Sequence, residues 1–237
     1  MEPSYWTLIS WGPEGWLDDI AYGAFITVSL AVATLPLGLT IGFFIALGKQ
    51  SREPSVRLAA NIYTTIFRGL PELLTLFLVY YGVQIGLQQI IRVVSPETTV
   101  EVNSFVSGMV ALGVVFSSYA SEVFLSAFRA IPRGQYEGGF SIGLTNGQTM
   151  RLVVLPQLVR IALPGLANLW LILLKDTALV SAIGLSDIIR QAGIAARVTR
   201  EAFLFFSVAA LIYLALAIIS SFGIRAVENA VNQGGRR

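Results

Sequence analysis

Residues 137–157 read EGGFSIGLTNGQTMRLVVLPQ. The stretch is polar, carries Gly138, Gly139, Gly143 and Gly147, and runs into Leu155-Pro156. It stands between two long apolar runs, so its reading decides what those runs are for. Outside it the chain is oily: of 237 residues 55% are hydrophobic and only 13% charged, with a mean hydropathy of +0.72. A soluble domain carries about 25% charged residues. This deficit, with long apolar runs, points to an all-α protein of the bilayer.

The composition also excludes chemistry. A net charge of +2, with no basic stripe and interleaved aromatics, gives no case for nucleic acid. Cysteine and histidine are absent, which removes disulfides, thiolate and imidazole metal sites, and catalysis by either side chain. No catalytic or metal-ligating residue is assigned. The start of the chain, MEPSYWTLISWGPEGWLDD, lacks a basic n-region, which argues against a cleaved signal peptide.

A spanning helix needs about 20 mostly apolar residues. Segments near 20–47, 58–90, 105–128, 161–183 and 202–224 qualify, giving five spans in one domain with a cytoplasmic loop over 130–160. The second is interrupted by FRGLPE (67–72), where Pro71 disturbs the hydrogen-bond ladder, and one kinked span is the expectation. With the N-terminus outside, ten basic residues face the cytoplasm (Lys49, Arg52, Arg57, Arg129, Arg133, Arg151, Arg160, Arg225, Arg236, Arg237) against four outside (Arg92, Arg190, Arg197, Arg200). That bias sets the orientation, with the C-terminus cytoplasmic. Trp6, Trp11 and Trp16 flank the first span as an interfacial belt does, and Tyr80 and Tyr81 suit the outer interface. Gly38 and Gly42 have the small-x-x-x-small spacing of a helix seam, either between copies or within the chain.

The spacing in the loop is specific. Glu137 precedes Gly138 and Gly139, Gly143 follows, and nine residues later come Val153, Leu155 and Pro156. This resembles the cytoplasmic E-A-A loop of ATP-binding cassette (ABC) importer permeases, with two glycines for the alanines and a valine for the isoleucine. FRGLPELLTLFLVYYG (67–82), SSYASEVFLSAFRAIPRGQYEGG (117–139) and LLKDTALVSAIGLSDI (173–188) are similar to the corresponding stretches of polar amino acid permeases of the histidine, arginine, ornithine and opine type.

The resemblance implies a type I ABC importer permease fold in the bacterial inner membrane, with a periplasmic N-terminus. It implies a separate ABC ATPase dimer carrying ATP and Mg, a second permease subunit (identical or related), and a periplasmic amino-acid-binding protein. The chain has no phosphate-cradling G-x-x-x-x-G-K-[ST], so the energy comes from a partner. No cofactor is expected on this chain, and its remaining contact is membrane lipid. The loop would dock through Arg133, Glu137, Gly138, Gly139, Gly143, Arg151, Leu155 and Pro156. Gly143 and Gly147 are expected to break its helices, Glu137 to pair with a base or cap a helix start, and the two arginines to meet acidic groups.

Charges inside spans are costly, at about 2.5–3.5 kcal/mol each on insertion scales, and so mark function. Arg68, Glu72, Glu122, Lys175 and Asp176 are the candidates. Arg68, Glu122 and Asp176 are expected near mid-depth, lining a polar chamber. There Arg68 would clamp an α-carboxylate, and Glu122 and Asp176 would hold an ammonium group. Thr177 and Ser181, four apart, would share a helix face with hydroxyls for the substrate. The structural alternative pairs Arg68 with Glu72 one turn on, and Glu122 with Arg129 or a neighbouring helix. Three acidic candidates against two basic ones favour a cationic amino acid or opine. A serine-lysine intramembrane hydrolase using Ser117, Ser118 and Lys175, or an ion-channel subunit, are the competing readings; neither a nucleophile elbow nor a filter-like loop is present.

Overall fold

The computed structural model describes residues 4–94 and 102–233 and is all-helical there. Arg236 and Arg237, counted above for topology, lie outside the described residues. In chain order the helices are α1 (Tyr5–Leu8), α2 (Leu17–Lys49), α3 (Pro54–Gly69), α4 (Glu72–Val94), α5 (Ser104–Ala130), α6 (Arg133–Ser141), α7 (Asn146–Thr149), α8 (Leu155–Asp176), α9 (Ile188–Thr199) and α10 (Ala202–Gln233). A π-helical turn, Met150–Val154, leads into α8, and a 3₁₀ segment, Thr177–Ile183, follows it. Among the described residues five helical segments are long and apolar enough to cross a bilayer: Leu17–Lys49, Glu72–Arg92, Ser104–Ala130, Asn146–Ile183 and Ala202–Val231.

The second expected span is not one kinked helix. α3 ends at Gly69 and α4 begins at Glu72, with Leu70 and Pro71 between. Proline drives the preceding residue out of helical backbone and cannot donate to the ladder, so the pair breaks the helix instead of bending it. Arg68 therefore lies in the last turn of α3, not inside an apolar span. The break also removes the i, i+4 register that a pairing of Arg68 with Glu72 requires.

The chain forms two compact units, each built from separate stretches: 1–37, 70–113 and 172–218 make the first, and 38–69, 114–171 and 219–237 the second. In the first, Trp16 and Phe205 meet edge to face at 6.4 Å beside the buried Ile20, Ile188, Ala192, Ala195 and Ala196. Those α9 positions recur at helical spacing and form one apolar stripe. No helix was expected at α9. Its start is fixed by Asp187, whose Oδ1 accepts the Arg190 N–H at 2.9 Å, and by Thr27, whose hydroxyl accepts the Ile188 N–H at 3.5 Å. Each buried aromatic or large aliphatic group of this cluster contributes roughly 1.5–3 kcal/mol relative to an exposed one.

In the second unit α2 packs on α5. A Cβ on Gly42 would lie 2.9 Å from the Ala120 methyl and from the Ser117 carbonyl oxygen, and one on Gly38 would strike the Phe116 ring. The Gly38/Gly42 seam is therefore an intrachain contact. Lipid tails give apolar helices no hydrophobic reason to associate, so such close approach of backbones supplies the packing energy. Phe43 adds an edge-to-face contact with Phe124 at 5.7 Å.

Candidate functional site

The polar stretch folds as two short helices and a π turn, all within the second unit. α6 closes on Gly143, whose φ of +83° suits a residue without a Cβ. The Leu144 N–H donates to the Gly139 carbonyl (3.1 Å) and the Gly143 N–H to that of Phe140 (3.0 Å), the two bonds of a Schellman motif. α7 opens with a capping box: the Thr145 hydroxyl accepts the Gln148 N–H, and the Gln148 side chain accepts the Thr145 N–H. Gly147 lies inside α7 and breaks nothing. Glu137 is the fifth residue of α6, not a cap at its start.

Gly138 and Gly139 differ in what surrounds them. A Cβ on Gly138 would meet nothing within 4 Å, whereas one on Gly139 would sit 2.6 Å from Thr149 Cγ2. Gly139 is thus where the last residue of α7, Thr149, comes against α6. Arg133, Glu137 and Arg151 are exposed and, among the described residues, form no ion pair. Leu155 is half-buried and Pro156 exposed at the start of α8. Large apolar groups are exposed on the loop as well: Ile142 is 74% exposed, with Phe140 and Leu152 also exposed.

The second unit also gathers three charges. Lys49 Nζ and Arg68 Nη1 both donate to Glu122 Oε1, at 2.6 and 2.9 Å. Both cations sit in the last turns of their helices, α2 and α3, where the helix dipole favours positive charge. Lys49 is 6% exposed at its side chain, Glu122 33% and Arg68 44%. The Arg68 guanidinium lies over the Tyr119 ring, 5.6 Å from its centroid. Glu122 also lines a groove of about 380 Å³ with Val123, Ser126, Ala127, Ile161 and Gly165. Because Lys49 ends α2, Glu122 lies level with the end of that helix. Glu122 pairs with neither Arg129 nor any residue of its own helix, but with α2 and α3.

The remaining candidates belong to the first unit. Glu72 and Asp176 are half-buried carboxylates close enough to feel each other's charge, with Lys175 exposed beside them. Thr177 is buried and Ser181 half-buried, both in the 3₁₀ segment. At three residues per turn, positions four apart do not share a face, so the expected common face is lost. Their hydroxyls donate to Leu174 O (2.7 Å) and Ala178 O (2.8 Å), so neither has its proton left for a ligand.

The family profile described as "Binding-protein-dependent transport system inner membrane component" matches residues 38–233. The chain belongs to that family.

The permease is 40% identical over 231 residues to the nopaline transport system permease protein of Agrobacterium fabrum, covering 97% of this chain and 98% of that one. It is 34% identical over 223 residues to the histidine/lysine/arginine/ornithine permease protein of Escherichia coli, covering 94% and 97%. Among solved structures, a chain of an amino acid ABC transporter crystallised with histidines matches with a TM-score of 0.79 at 29% identity, covering 97% of this chain and all 100% of that one. An inward-facing methionine ABC transporter shares the fold, with a TM-score of 0.73 at 16% identity and coverage of 91% and 97%. The five-span permease fold and the ABC transport role expected from the sequence stand. The hydrolase reading has no support. In the permease the Ser117 hydroxyl bonds Tyr63 at 2.7 Å and its own helix, and the Ser118 hydroxyl donates to Val115 O.

Sequence reasoning missed Lys49, Tyr119 and the Phe140–Ile142 edge. Lys49 ends an apolar span, where a basic residue needs no partner to explain it. The exposed apolar pair carried a signal that the charges outweighed: two large hydrophobics in a polar loop.

Proposed function

We propose that this permease is the membrane subunit of an ATP-driven importer for cationic amino acids or opines in the bacterial inner membrane, with its N-terminus periplasmic. A separate ATPase dimer, which binds ATP and Mg, docks on α6 and α7. A second permease subunit and a periplasmic amino-acid-binding protein complete the machine. The carrying observation is Ile142: a large aliphatic residue, 74% exposed, on a capped and therefore ordered segment outside every candidate span. Such a knob, with Phe140 beside it, fits a groove on a partner, and Arg133, Glu137 and Arg151 supply the polar rim around it. The relatives that transport nopaline and basic amino acids support the substrate class.

On this reading the Schellman turn at Gly143 and the capping box at Thr145 make the loop stiff enough to pass a displacement into α8, which continues from it. Arg68, held by Glu122 and stacked on Tyr119, keeps further N–H groups for a substrate carboxylate. Glu72 and Asp176 supply the negative charge that suits a cationic side chain. The test is co-purification of the ATPase with wild-type and Ile142→Glu permease, followed by uptake with a panel of amino acids and opines. Loss of the ATPase from the variant, and uptake limited to basic amino acids and opines, is the expected result. Full retention by Ile142→Glu and Phe140→Glu together would remove the docking assignment, and a preference for acidic substrates would remove the substrate class.

A further inference from the structure

In the second unit a groove of about 270 Å³ opens between α8 and α10. Ala167 and Leu171 of α8 and Ile224 of α10 form its apolar walls, and Asn168, Ser221, Arg225 and Glu228 its polar ones. α8 leaves the loop segment and α10 returns, so Glu228, one turn beyond Ile224 on α10, lies nearer the loop side than Leu171. Both charges of the groove therefore lie on its loop side, and Leu171, Ile224 and the Ser221 hydroxyl lie beyond them.

Arg225 and Glu228 are three apart on one helix, spaced to pair with each other. They do not: among the described residues neither makes an ion pair. Two opposite charges at the end of a candidate span, both facing one groove and both unneutralised, call for a ligand that carries both signs. We propose that this groove holds the headgroup of a phosphatidylethanolamine, with the phosphate on Arg225 and Asn168 and the ammonium on Glu228. Arginine binds phosphate oxygens through two N–H groups, and the ethanolamine ammonium offers three N–H donors to a carboxylate. A choline headgroup has none, and its methyl groups hold the charge away. An anionic glycerol headgroup satisfies Arg225 but leaves Glu228 alone. The inference rests on α8 and α10 being membrane-embedded; it does not depend on what the permease carries.

The test uses the full chain in the assembly with which it purifies, placed in nanodiscs of equimolar phosphatidylethanolamine, phosphatidylcholine and phosphatidylglycerol. After transfer to detergent, retained lipid is counted by native mass spectrometry. The expected result is several-fold enrichment of phosphatidylethanolamine, lost in Arg225→Gln and in Glu228→Gln. A second arm needs no variant. Stepwise N-methylation of the headgroup removes one N–H at a time, and retention should fall with each step. Equal retention across the methylation series, a preference for phosphatidylglycerol, or enrichment that survives both substitutions would overturn the proposal. So would efficient disulfide cross-linking between copies through Asn168→Cys, made in a chain with no other cysteine, because a second permease would then fill the groove.

Discussion

Gly139 and Thr149 touch as closely as a glycine allows: a Cβ added at residue 139 would lie 2.6 Å from Thr149 Cγ2 and 2.8 Å from its Oγ1. α6 and the end of α7 are therefore joined where only a hydrogen fits. Gly139→Ala forces the two apart and should cost about 1–3 kcal/mol of local stability, as overpacking does. Gly138→Ala meets empty space and should gain about 1 kcal/mol from helix propensity. ATPase activity stimulated by substrate-loaded binding protein should drop sharply in the first variant and hold in the second. Thr149→Ala added to Gly139→Ala should restore much of the loss by removing both crowding atoms.

The Lys49–Glu122–Arg68 cluster predicts a split between stability and transport. Glu122→Gln strands Lys49, whose side chain is 6% exposed, and should cost about 3 kcal/mol, the low end for a broken buried pair. Arg68→Gln removes the more exposed partner and should change stability by no more than about 1 kcal/mol, as surface pairs do. Uptake should order the variants differently, with Arg68→Gln losing substrate affinity while its thermal unfolding in detergent stays near that of the parent. Equal unfolding shifts in the two variants would contradict this assignment.

Apolar runs and the spacing from Glu137 to Pro156 made the spans and the loop legible, because both signals are local. The ion cluster was not, since Lys49 and Glu122 are 73 residues apart and α2 packs on α5 through glycines that carry no charge signal. Pro71 was visible, but a proline inside an apolar run can either kink or end a helix, and here α3 ends before it. α9 stayed hidden because its buried stripe is mostly alanine, too small to stand out as a hydrophobic period. Thr177 and Ser181 were placed on one face on the assumption of 3.6 residues per turn, and the chain tightens to 3₁₀ there.

Asp187 gives the permease a pH-dependent stability. It lies between the candidate spans, buried, with Oδ2 lacking a hydrogen-bond partner among the described residues. Burial pushes its carboxyl from 3.8 up to about 6, opposed in part by the N–H groups at the start of α9 and by the Arg190 charge. The folded state then holds a proton that the unfolded chain releases, so stability is greatest below about 3.8 and is lost as pH rises through about 6. The loss should total at most about 3 kcal/mol. Asp187→Asn keeps an oxygen to cap α9 and cannot ionise, so its unfolding temperature in detergent should be flat over this range while the parent's falls.

Glu72 and Asp176 predict charge selectivity. Two half-buried carboxylates that repel each other are held together at a cost, and a bound cation would relieve it. Hydrogen bonds to charged groups are worth about 1.5–3 kcal/mol, so losing one corresponds to roughly a tenfold to hundredfold change in affinity. Asp176→Asn should lower uptake of arginine-like substrates by about that factor while leaving uptake of a neutral analogue with the same backbone nearly unchanged. Glu72→Gln should act in the same direction, and the double variant should fall short of the product of the two, because each substitution also removes the repulsion felt by the other. Measuring initial rates for a cationic and a neutral substrate in all four proteins separates this from a general loss of function, which would reduce both substrates alike.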